Sequence, residues 1–251
     1  MSDLLVTGGQ VLRPDMTVER ADVLVDQDAG TIEAVGDPGG GDDELDAEGG
    51  LIIPGLVNVH THVAMTLLRG LADDKPLDAW LREDIWPVEA ELTPEDIRVG
   101  AELGLIEMIK SGTTALSDMY FEVEEIAEAV EQAGVRARLG YTAVTVGKDD
   151  ESARADLERS LEVAWELDGA ADGRIRTTFQ PHSLTTVGEE YLREFVPQAN
   201  EAGLATHLHA NETPEEVGPI VEEHGVRPLA YAEDLGLLAG DTYVAPGVHV
   251  D

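Results

Sequence analysis

From residue 51 onward the chain alternates between two hydrophobic patterns. Short apolar or β-branched runs lie at 51–59, 113–119, 137–146, 175–180, 203–208 and 242–250. Between them, apolar residues recur at helical spacing, as in "TPEDIRVGAELGLIEMIKSG" and "VEEIAEAVEQAG". Continuous apolar runs suit strands buried on both faces, whereas recurrence every three or four residues suits a helix that buries one stripe. The first helical segment carries its own start signals. Thr93 offers a side-chain acceptor to the free amides, Pro94 pre-sets the first helical φ, and Glu95 and Asp96 complement the positive end of the helix. Both segments stop at glycine, Gly112 and Gly134. This alternation predicts a parallel sheet with crossover helices.

The count of strands refines the prediction. A closed barrel of this kind needs eight strands, and the sixth run here reaches the last residue, Asp251. The expected fold is therefore α/β, a (β/α)8 TIM-type barrel that is incomplete, with about six strands present and two strand–helix units lacking. Ahead of it, "DLLVTGGQVL" and "ADVLVDQDAGTIEAVG" read as short strands broken by Gly-Gly and Asp-Ala-Gly, followed by the loop "GDPGGGDDELDAEGG". Residues 1–54 are expected to form a small N-terminal β-sandwich subdomain, and residues 55–251 the barrel.

Charge changes the picture of the surface. Against 16 Lys and Arg stand 52 Asp and Glu, a net charge of −36, spread along the whole chain. Lysine is confined to Lys75, Lys110 and Lys148. Self-repulsion of that size opposes compaction unless salt screens it, so the composition predicts a surface adapted to high salt. The same field disfavours phosphate binding, and nothing resembles a basic stripe, so no nucleic-acid partner is expected. Forty-three per cent hydrophobic residues exclude a disordered chain. The amino terminus lacks a basic segment followed by an apolar one, and no apolar run approaches the length of a membrane span. A soluble, cytoplasmic protein with no membrane partner is expected.

With no cysteine in the chain, any bound metal must be held by histidine and carboxylate. His60 and His62 end the first barrel run, in "GLVNVHTHVAMTLLRG". In a strand, residues two apart share a face, so both imidazoles project from the carboxyl end of the strand, where barrel active sites lie. One such pair is a weak signal. A second pair, His207 and His209 in "LATHLHANE", ends the fifth run, with Glu212 three residues further on. Two histidine pairs at the same end of two parallel strands point to one metal ion. His224 closes a helical segment at Gly225, where a cation suits the helix end, and Trp80 and Trp86 are candidate apolar walls.

The stretches "GGLIIPGLVNVHTHVAMTLLRGLADD", "WLREDIWPVEAELTPED", "AELGLIEMIKSGTTALSDMY", "FQPHSLTT" and "HLHANETPEEV" resemble the amidohydrolase superfamily, within it the methylthioadenosine/S-adenosylhomocysteine deaminases and their chlorohydrolase relatives. The resemblance implies a metal-dependent hydrolase with one zinc, in some relatives iron, per chain. It makes His60, His62 and His209 the metal ligands and His207 a supporting or packed residue. Glu212 becomes the general acid, with Glu89 and His182 contacting the ribose and the reacting base. The implied reaction is hydrolytic deamination of an adenine-type nucleoside; other amidohydrolase chemistry, such as guanine- or cytosine-type deamination or dechlorination, or an inactive remnant, stays open. So does a homo-oligomer. In two respects the chain departs from what the resemblance implies: Pro246 stands where the family carries a strand-six histidine, with His249 three residues later, and the strand-eight Asp expected as a further metal ligand and base would lie beyond residue 251.

Overall fold

The computed structural model describes residues 2–250 and divides into two compact units, residues 1–55 and 56–251. The first unit contains two small sheets. One is built from β1 (Asp3–Thr7), β4 (Asp22–Asp26), β5 (Thr31–Gly36) and β6 (Asp43–Asp46) in the order β5-β4-β1-β6. The other is built from β2 (Gln10–Leu12), β3 (Val18–Arg20) and β7 (Leu51–Ile52) in the order β3-β2-β7. Leu5, Val11, Val23 and Leu24 are its buried side chains.

The second unit is an arc of parallel strands flanked by helices. Its strands are β8 (Leu56–Thr61), β9 (Thr113–Asp118), β10 (Arg136–Leu139), β11 (Thr142–Ala143), β12 (Ile175–Pro181), β13 (Ala205–Ala210) and β14 (Tyr243–Pro246). The sheet order is β14-β13-β12-β10-β9-β8, with β11 pairing β12 beyond the end of β10. Counting β10 and β11 as one interrupted strand gives the six expected. Among the described residues β8 and β14 form the two edges of this arc.

Three expected runs prove shorter or divided, each for a local reason. The run 51–59 contains Pro54 and Gly55, and the chain breaks there: Leu51–Ile52 joins the first unit and the barrel strand starts at Leu56. The run 137–146 breaks at Gly140, whose backbone lies against β12 so closely that a Cβ would sit 2.3 Å from the Thr178 carbonyl oxygen. The run 242–250 leaves the sheet after Pro246 and turns at Gly247, so His249 is not on a strand.

The helix Pro94–Lys110 begins as read from the sequence. Thr93 accepts from the Asp96 backbone N–H, and the Asp96 carboxylate in return accepts from the Thr93 backbone N–H. Its inner face is unusual for a helix. Gly100 and Gly104 face the turn Val63–Leu68 that directly follows His62, and a Cβ on Gly100 would lie 2.4 Å from the Ala64 carbonyl oxygen. Two hydrophobic clusters flank the arc. One gathers this helix, the helix Val123–Ala133 and the strands beneath them around Ile97, Leu105, Ile126 and Leu139. The other gathers the helices Asp150–Glu166, Glu189–Glu201 and Pro228–Asp234 around Phe179, Leu192 and Leu208. No helix among the described residues is long and apolar enough to cross a membrane.

Candidate metal centre and its surroundings

In the sheet, β8 and β13 are separated by β9, β10 and β12, yet their histidines meet. The arc curls until its inner faces converge at the carboxyl ends of the strands. His60 from β8, His62 directly after its end and His209 from β13 each bring one nitrogen to within 4.8 Å of the others. The His60 and His209 Nε2 atoms are 3.2 Å apart.

Whether such a cluster fits a cation depends on where the ring protons sit. His62 Nδ1 lies 2.5 Å from the Met119 carbonyl oxygen, and His209 Nδ1 lies 3.2 Å from that of His182. A carbonyl only accepts, so both rings carry their proton on Nδ1 and present the Nε2 lone pair. Burial, with neighbouring rings adding to it, pulls the His60 ring down to about 4 and the His209 ring to about 2, while burial also lowers His62. All three are neutral at pH 7. Neutral imidazoles with lone pairs converging from two strands are the donor set a borderline divalent metal takes. The residues present therefore fit a metal ion.

The carboxyl end of β9 holds this arrangement with three consecutive residues. Asp118, fully buried, accepts the Val63 backbone N–H at 2.6 Å, directly after His62. Met119 fixes the His62 ring through its carbonyl. The Tyr120 hydroxyl donates to Glu89 at 2.5 Å. None of these three was singled out from the sequence, although "SDMY" sits at the end of a barrel strand, the position where functional side chains concentrate.

Of the other sequence-derived residues, His182 packs directly against this cluster, and the rest are placed by contacts of their own. Glu89 is half-buried, with a carboxyl that burial pushes above the usual carboxylate range, the Tyr120 hydrogen bond opposing it. It lines a cavity of about 280 Å³ with Trp86, Ile97, Tyr120 and Phe121. Trp80 instead donates its indole N–H to the Ala72 carbonyl. His182 packs its ring 4.8 Å from that of His209, binds Thr186 Oγ1 through Nδ1 at 2.7 Å, and is held neutral by burial, down to about 4. Glu212 follows a left-handed turn at Asn211, and its backbone N–H donates to Glu216. Burial first, and then the Glu216 charge, raise the Glu212 carboxyl. Pro246 is exposed, pairs in register with Ala210 and offers no proton-transfer group. His249 is tied by its backbone N–H to the Asn211 carbonyl and is not in the converging group of histidines. His224 stacks on Tyr231 at a helix end.

Comparison with known proteins bears on this geometry. The model of the amidohydrolase family matches residues 51–251. A 5-methylthioadenosine/S-adenosylhomocysteine deaminase of Haloarcula marismortui is 81% identical over 253 residues, covering 100% of this chain and 59% of the relative. One of the same description from Natronomonas pharaonis is 65% identical, covering 100% of this chain and 58% of the relative. The chain thus spans somewhat over half the length of these proteins. Among solved structures, an adenosine deaminase from Xanthomonas campestris with bound zinc superposes with a TM-score of 0.85 at 33% identity, over 97% of this chain and 57% of that one. An atrazine chlorohydrolase from Arthrobacter aurescens, at 22% identity and a TM-score of 0.81, shares the fold over 96% of this chain and 60% of its own.

Proposed function

Because the chain belongs to the amidohydrolase family, we propose that residues 55–251 bear the metal and substrate groups of a hydrolytic deaminase for adenine-type nucleosides such as methylthioadenosine or S-adenosylhomocysteine. Residues 1–54 are its β-sandwich appendage. His60, His62 and His209 hold one zinc per chain, with iron as the alternative ion. The observation that carries this reading is the convergence of three neutral imidazole nitrogens within 4.8 Å. The deaminases of Haloarcula and Natronomonas and the zinc-bound structure from Xanthomonas support it.

When bound, the metal supplies Lewis acidity that makes water nucleophilic near pH ~7. The chain's own groups do the rest. Glu212, whose carboxyl is raised by burial, retains a proton closer to neutrality than an ordinary glutamate and delivers it to a ring nitrogen of the base. His182, neutral and fixed through Thr186, hydrogen-bonds the reacting edge of the base. Glu89 accepts from the ribose hydroxyls, its carboxylate aimed by the Tyr120 hydroxyl, while Trp86 and Phe121 wall the cavity.

The test reads metal and ligand separately. Dialysed against zinc in molar KCl, the chain should retain about one ion per polypeptide, and His60→Ala should lose most of it. Calorimetry with methylthioadenosine should then show binding that Glu89→Ala weakens by about tenfold or more, the scale of a lost hydrogen bond to a charged group. Zinc content unchanged in His60→Ala would overturn the ligand assignment. Nucleoside binding indifferent to Glu89 would overturn the substrate reading.

A further inference from the structure

Two of the three converging histidines have their tautomer fixed by a backbone carbonyl. His60 does not. Its Nδ1 faces another side chain, His207 Nε2, at 2.9 Å, with the two rings nearly perpendicular at 88°. An imidazole nitrogen can donate or accept, so the His60 tautomer is set jointly with that of His207.

The two hydrogen-bond directions have opposite consequences. If His207 Nε2–H donates, His60 must carry its proton on Nε2, the atom that faces His209 Nε2 at 3.2 Å, and the lone pair a metal needs is gone. If His207 Nε2 accepts, His60 is protonated on Nδ1 and presents Nε2 as the other two rings do.

His207 is also placed as a core residue would not be. It is 0% exposed, and its Nδ1 is buried with no hydrogen-bond partner among the described residues. One ring face stacks on Tyr243, centroids 4.3 Å apart, and Tyr243 is in turn pinned by Ser117 at 2.6 Å and by the Arg138 guanidinium over its ring. A histidine that only filled space would satisfy both nitrogens or be replaced by an apolar side chain, because a buried orphan costs about 1–3 kcal/mol. Here the single polar contact in the hydrogen-bond network is with His60.

We propose that His207 is a positioning residue for the metal centre: clamped by Tyr243, its Nε2 accepts the His60 Nδ1–H and so keeps His60 Nε2 free to bind the ion. The proposal rests on the metal reading above. No proton is gained or lost, since both rings stay neutral and protonated on Nδ1.

The experiment compares zinc affinity, by competition with a chromophoric chelator in molar KCl, for the unaltered chain, His207→Phe and His207→Gln. Phenylalanine keeps a ring against Tyr243 but cannot accept, whereas the glutamine amide oxygen can. Loss of the partner of a ligating histidine typically lowers affinity by about 10–100-fold. That loss is expected for His207→Phe, with His207→Gln within a few-fold of the unaltered chain. In parallel, nitrogen-15 spectra of the zinc-loaded unaltered chain should show His60 protonated on Nδ1, with a coupling across the hydrogen bond to His207 Nε2. Equal affinity in all three chains, equal loss in both variants, or His60 protonated on Nε2 would overturn the proposal. Failure of the unaltered chain to bind zinc would instead overturn the metal reading, and this inference with it.

Discussion

Alanine at Gly100 tests how the turn after His62 is held. By helix propensity alone, Gly100→Ala within Pro94–Lys110 should stabilise the protein by up to about 1 kcal/mol. The structure argues the opposite sign. The added Cβ would lie 2.4 Å from the Ala64 carbonyl oxygen and 3.0 Å from Leu67 Cγ, and the nearer contact is backbone, which cannot step aside by changing rotamer. Overpacking of a well-filled interface costs about 1–3 kcal/mol, with a backbone clash at the upper end. Set against the propensity gain, the net loss is about 2 kcal/mol. For a unit of this size that lowers the melting temperature by roughly 4–8 °C. Gly104→Ala provides the internal control, because its Cβ would meet Val63 Cγ2 at 2.6 Å, a side-chain atom. In a Val63→Ala background the cost of Gly104→Ala should shrink, whereas that of Gly100→Ala should not. Thermal melts in molar KCl, followed by circular dichroism, read all four differences. A melting temperature that rises in Gly100→Ala would refute the close approach of this helix to the turn.

Two further predictions concern solvent and acid. With 52 acidic against 16 basic residues and a net charge of −36, and with cations such as Arg98 and Arg159 each shared among several glutamates, the acidic surface repels itself, so stability should climb steeply between ~0.1 M and molar KCl as the Debye length falls from about 10 to 3 Å. A melting temperature independent of salt would reject that account. Burial holds His60 at about 4 and His209 at about 2, below the ordinary 6.5, so the neutral, ligating forms persist as pH falls. Zinc should therefore stay bound through pH 6 and leave near pH 4, measured by dialysis and elemental analysis; half-release at pH 6 to 6.5 would contradict the burial of these rings.

What could be read from the sequence, and what could not, divides along the range of the interactions. The barrel strands and the Thr93 cap are local: each follows from a few residues whose periodicity or hydrogen-bonding capacity has one structural outlet. Strand alternation likewise fixes the face of each histidine pair, and parallel strands bring like ends together, which narrows the candidates to His60, His62, His207 and His209. The supports of the site are not local. Asp118, Met119 and Tyr120 act on Val63, His62 and Glu89 through contacts that span 31 to 57 residues of chain. One of the three uses a backbone carbonyl, to which residue identity is indifferent. His207 shows the limit most sharply. Strand alternation places it on the same face as His209, so alternation alone does not separate a ligand from a residue that holds one, and the ranking of the two rests on the family resemblance of "HANE". The distinction arises from the curl of the sheet, which sets His207 Nε2 against His60 Nδ1 and leaves His60 Nε2 facing His209. On the reading proposed above, ligand and support are the same chemical group separated by one alternation of a strand, told apart by which ring nitrogen each must keep unprotonated.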